Sequence, residues 1–106
     1  LGDTQAQVEV VRLDRDALGF AAALAHVRRE YGVRLVLCEG GPGVLAALLR
    51  ETVLDQLCLS LAAKLAGGGD APAITSGPEL PEPADAELEE ALERNGTLFL
   101  RYRLQN

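Results

Sequence analysis

Apolar and polar positions change rhythm several times along this chain, and each rhythm predicts an element. Residues 8–13, VEVVRL, are β-branched and mostly apolar, which predicts a strand. Asp14 or Asp16 then caps a predicted helix reaching about Tyr31. In it Phe20, Leu24, Val27 and Tyr31 recur at offsets of four, three and four, marking one buried stripe. Arg28, Arg29 and Glu30 form its solvated end, and Gly32 suits the position just past the last turn. Gly19 inside this helix would cost about 1 kcal/mol relative to Ala.

The next stretch, residues 34–38, is a continuous apolar run, Leu35-Val36-Leu37-Cys38 after Arg34. A run without alternation predicts a strand covered on both faces, as in a parallel sheet. Pro42 suits the first position of a helix, which then continues through Leu45, Leu48 and Leu49 to about Glu51. Residues 55–65 begin with clean alternation: Leu57, Leu59 and Leu61 face one way, Gln56, Cys58 and Ser60 the other. Strand, helix, strand, helix, strand makes two consecutive crossover units. That order predicts an α/β fold, a three-layer sandwich with a mostly parallel sheet and helices on both faces.

Beyond residue 66 the character shifts. Residues 67–83 are loop-rich and carry four of the five prolines, with a short strand expected at 73–75. In residues 84–94, Leu88, Ala91 and Leu92 fit a helical face among glutamates. Against that, Asn95-Gly96 between two candidate strands is a strong hairpin signal. Both readings stay open from the pattern alone, and Thr97 to Leu104 reads as a strand in either.

Composition narrows the classes. At 106 residues the chain is one domain at most, and its 48% apolar share is mostly Leu, Ala and Val. The net charge of −6 and the lack of any basic run beyond Arg28-Arg29 exclude a phosphate-backbone binder, so nucleic acid is not an expected partner. No apolar run nears the roughly 20 residues of a membrane helix, and no signal peptide is evident. Cys38 and Cys58 sit in apolar runs without metal-pair spacing, which predicts core thiols in a reduced, cytoplasmic protein and no metal site. Leu1 is not Met, so the residues are expected to be a piece of a longer product.

Candidate chemistry concentrates where the 34–38 run meets the following helix. Gly41-Pro42-Gly43-Val44-Leu45-Ala46 satisfies G-x-G-x-x-[GA] between a predicted strand and a predicted helix. Glycines admit an anion close to backbone N–H groups, and the helix start adds about half a positive charge. The classical dinucleotide site also needs an acid at the end of the next strand, where this chain reads Ala62-Ala63-Lys64. A phosphate loop of the Lys-Ser or Lys-Thr kind is excluded, since neither follows the glycines. An anion site and a plain strand-to-helix corner both remain open. Glu39, at the carboxyl end of the apolar run, lies beside the crevice where open α/β sheets bind ligands.

With these residues in view, the chain resembles the C-terminal part of a pyrimidine reductase domain from riboflavin biosynthesis, a dihydrofolate-reductase-like family. The resemblance rests on Leu35-Val36-Leu37-Cys38-Glu39-Gly40-Gly41-Pro42, then Val53-Leu54-Asp55-Gln56-Leu57 with Ala63-Lys64-Leu65 and Gly67-Gly68. It continues in Ala73-Ile74-Thr75-Ser76-Gly77 and Gly96-Thr97-Leu98-Phe99-Leu100-Arg101-Tyr102. Gln56 stands where the family usually has Glu, and Ala63 where it often has Pro.

The resemblance implies hydride transfer from NADPH to a small-molecule pyrimidine substrate, opening its ribosylamino group to ribitylamino. It implies that Glu39 contacts the substrate and that Gly41, Pro42, Gly43, Val44, Leu45, Ala46 and Ala47 line the NADPH pyrophosphate. It favours the antiparallel C-terminal hairpin over the helix. It also places most substrate contacts in an amino-terminal half outside these residues, so that residues 1–106 form the C-terminal portion of one reductase domain, inactive alone. A homodimer is expected.

Other residues carry less. His26, the only histidine, has no Ser, Cys or acid placed to work with it. Lys64 reads as a strand-end lysine reaching solvent, and the acids between Glu79 and Glu93 as a solvated face without calcium-loop spacing. The rival to the reductase is a non-catalytic α/β module that binds a nucleotide or serves in oligomerisation. A related reductase acting on another pterin-like ring is a further alternative.

Overall fold

The computed structural model describes residues 5–12, 19–71 and 73–105. They fall into two compact units, Leu1–Arg34 and Leu35–Asn106.

The first unit is built around α1, Phe20–Tyr31. Gly19 is its N-cap rather than an interior residue, with its carbonyl accepting from the Ala23 N–H at 3.1 Å. The propensity cost expected for an interior glycine therefore does not arise. Positions 14–18, the expected start of this helix, lie outside the described residues. At the other end Gly32 takes the left-handed conformation, φ 65°, as its expected place past the last turn requires. Its N–H donates to the Arg28 carbonyl at 3.0 Å. Phe20, Leu24 and Val27 of the stripe are half-buried, while Tyr31 is exposed. Residues 8–12 form no strand, and Val8, Val10 and Val11 are exposed; residue 13 is outside the described set.

The second unit holds α2, Pro42–Arg50, and three strands: β1 Gln56–Leu61, β2 Ala86–Arg94 and β3 Thr97–Leu104. The sheet order is β1-β3-β2, and both pairings are antiparallel. The mostly parallel sheet expected from the crossover pattern is thus absent among the described residues. The reason is visible at residues 35–38. A strand covered on both faces needs neighbours on each side, and here Leu35 and Leu37 are 90% and 85% exposed and belong to no sheet. Residues 73–75 likewise form no strand.

β1 ends four residues before the alternation suggested. Leu61 pairs with Leu98, and β3 begins at Thr97, so β1 runs out of partner there. At residues 86–94 the hairpin wins over the helix. Asn95 and Gly96 both have positive φ, 51° and 78°, and Arg94 pairs with Thr97 across this two-residue loop. Glu93 Oε1 accepts from the Gly96 N–H at 2.7 Å.

β2 carries a bulge: Leu88 pairs with Tyr102 and Glu90 with Arg101, leaving Glu89 as the extra residue. The bulge places Leu88 and Ala91 on one face and Leu92 on the other, beside Phe99. A three-residue spacing that imitates a helix is therefore a strand with one residue added.

The two faces of the sheet differ in chemistry. Register puts Leu57, Leu59, Leu61, Leu98, Leu100, Tyr102, Leu104 and Leu88 on one face. Among the described residues only Ala46, Leu48 and Leu104 are buried apolar residues. The opposite face carries Arg101 and Arg103 among acids of β2. The bulge residue Glu89, with a side chain 19% exposed, accepts from Arg103 Nη2 at 2.7 Å and Nε at 2.8 Å. Its other oxygen meets Gln56 Nε2 of β1 at 3.1 Å and Arg101 Nε at 3.5 Å. One carboxylate thereby links all three strands.

Candidate functional site

The local sequence explains how the chain enters α2. Gly40 and Gly41 take φ values of 66° and 110°, conformations that side-chain-bearing residues rarely adopt. A Cβ on either would meet nothing within 4 Å, so backbone conformation, not crowding, calls for glycine there. Pro42 fills the first helical position, as its fixed φ and missing N–H predict. The Leu45 N–H donates to the Gly41 carbonyl at 3.0 Å, and no side chain caps the helix. The N–H groups of Gly43 and Val44 therefore have no hydrogen-bond acceptor among the described residues.

Such a helix start has the chemistry of an anion site: two unbonded donors, a glycine approach and the positive end of the helix dipole. A Cβ on Gly43 would meet only Ser76 Oγ, at 3.8 Å, which is ordinary contact. The first turn is thus open to a phosphate group, and the residues present fit one.

Of the residues expected at the site, Glu39 precedes Gly41 by two positions, is exposed, and makes no ion pair or hydrogen bond among the described residues. Gly41 and Gly43 are exposed, and Pro42, Val44, Leu45 and Ala47 are half-buried. Ala46 is buried, with its side chain lining a cavity of about 150 Å³ between α2 and residues 75–80. That cavity is smaller than the roughly 300 Å³ at which ligand pockets begin, so a dinucleotide does not fit inside it.

Residues 75–80 are a neighbour of α2 that the sequence pattern does not assign to the site. The Ser76 N–H donates to the Pro42 carbonyl at 3.2 Å, fixing this loop against the first turn of α2. Turn chemistry at Ser76-Gly77-Pro78 marks a loop, but no spacing signal links it to residues 34 positions earlier.

The other sequence candidates separate from this site. Lys64 is exposed, and its N–H closes a tight turn onto Ala62 at 2.8 Å. Cys38 and Cys58 are exposed free thiols, which corrects the expectation of core cysteines. Their runs lack the covering layer that would bury them. In the first unit, His26 packs its ring edge-on to Tyr31, centroids 6.2 Å apart. The Tyr31 pKa is raised, first by its hydrogen bond to the Glu9 carboxylate. No group of His, Cys, Asp and Glu among the described residues could hold a metal ion, and none of their helices is long and apolar enough to cross a membrane.

Residues 3–97 match the family model of the RibD C-terminal domain. The chain belongs to that family. RibD C-terminal domains are dihydrofolate-reductase-like, and their family is that of the riboflavin-biosynthesis pyrimidine reductases, an oxidoreductase family that binds NADPH in its reductase context. The match spans α1, α2, β1 and β2 and stops at the first residue of β3. The Glu-Gly-Gly-Pro turn and the uncapped start of α2 thus lie well inside the RibD C-terminal domain region. No curated protein matches the chain.

Proposed function

We propose that the chain is the carboxyl-terminal portion of an NADPH-dependent reductase acting on a phosphoribosylamino-pyrimidine, in a cytoplasmic homodimer. The observation that carries this reading is Glu39 placed two residues before an uncapped, glycine-led helix start, within a RibD C-terminal domain. NADPH, when bound, would supply the hydride that with a proton converts the ribosylamino group to ribitylamino.

The chain's own residues bind and orient. The Gly43 and Val44 N–H groups donate to diphosphate oxygens, and the α2 dipole favours their charge without a basic side chain. This suits a protein of net charge −6, which has little positive potential to offer. The remainder of the 41–47 segment supports that turn, with Ala46 anchoring it from the buried side. The exposed Glu39 carboxylate accepts hydrogen bonds from the amino groups of the pyrimidine ring, which fixes the ring relative to the cofactor.

In the complete domain, residues 34–38 take the place of an inner strand in a mostly parallel, three-layer sandwich. The exposure of Leu35 and Leu37 supports this, because an apolar run of this kind is stable only under further sheet and helix. The remaining substrate contacts and the partners of the cofactor's 2′-phosphate come from an amino-terminal half of that domain.

The test is NADPH affinity of the intact protein with Gly41→Val, checked for folding by circular dichroism. At φ 110° a valine distorts the turn, and affinity is expected to fall at least about tenfold, roughly one bidentate charge-assisted contact. Unchanged affinity in a folded variant would overturn the assignment. Absence of stereospecific NADPH oxidation with the pyrimidine substrate in the intact wild type would favour a non-catalytic module.

A further inference from the structure

We draw no further inference here: the strongest candidate, the apolar groove of about 390 Å³ beside the hairpin turn, formed by Leu61, Ala63, Leu65 and Leu98 with Lys64 at its border, is an unpartnered surface, and nothing in the structure shows what covers it.

Discussion

Thr52 sits just past α2 with φ 52°, a conformation that costs a β-branched residue about 1–2 kcal/mol. Glycine relieves that strain and gives back about half in unfolded-chain entropy. Thr52→Gly is therefore expected to stabilise the protein by about 0.5–1 kcal/mol, read as a higher urea midpoint with unchanged slope. Tyr31 offers a second test at the same scale. Its hydroxyl donates to the Glu9 carboxylate, so the protonated form is favoured and the pKa is raised above its ordinary value near 10. The folded state then holds the proton more tightly than the unfolded one. The associated stability is present below about pH 10 and is lost as pH rises through the raised value. Glu9→Gln is expected to lower one of the two tyrosinate transitions in an ultraviolet titration, and Tyr31→Phe to remove that same transition. An unmoved transition in Glu9→Gln would show that the hydrogen bond does not set it.

Among the elements, β2 sets local propensity against strand pairing. Its glutamates and the 88–91 spacing suit a helix, yet the Asn95-Gly96 turn and pairing with β3 decide for a strand. Intrinsic propensity is worth tenths of a kcal/mol per residue, and a full antiparallel ladder outweighs it. The bulge explains the misleading spacing, and no single-strand pattern encodes a bulge. Glu89 gives that bulge its main polar anchor by joining Arg103, Arg101 and Gln56. Glu89→Ala is expected to cost about 1–2 kcal/mol, because its side chain is only 19% exposed and several donors lose one acceptor. Glu87 meets Arg103 at 4.0 Å on an open surface, and its loss is expected to cost no more than about 0.5 kcal/mol. Equal costs in urea denaturation would show that the network adds nothing beyond surface pairing.

At the scale of the whole molecule, residues 34–38 pose the main question. Leu37 is 85% exposed, and a charge at such a surface position would change stability by no more than about 0.5 kcal/mol. The proposed inner-strand placement in a complete reductase domain would instead make the same residue interior. Leu37→Asp in the intact protein is then expected to cost more than about 3 kcal/mol or to prevent folding, while Leu37→Ile costs less than about 1.5 kcal/mol. A neutral Leu37→Asp would refute the inner-strand placement. Glu39, two residues on, is proposed to hold the substrate and not the cofactor. Glu39→Gln is expected to leave NADPH affinity unchanged while raising the KM for the pyrimidine about tenfold, measured by steady-state NADPH oxidation.

Features whose causes lie within a few residues are encoded in the amino-acid order. The start of α2 follows from Gly41 and Pro42, the end of α1 from Gly32, and the faces of β1 from its alternation, whereas Asn95-Gly96 left hairpin and helix open until β2 paired with β3. The backbone of the Glu-Gly-Gly-Pro turn is local in the same way, since positive φ at Gly40 and Gly41 and proline at the first helical position are properties of those residues. Tertiary structure alone decided the sheet order, the bulge at Glu89, the end of β1 and the approach of Ser76 to Pro42. Each of these depends on which distant backbone groups find partners. Local pattern fixes which way a side chain points, but not which strand lies beside it.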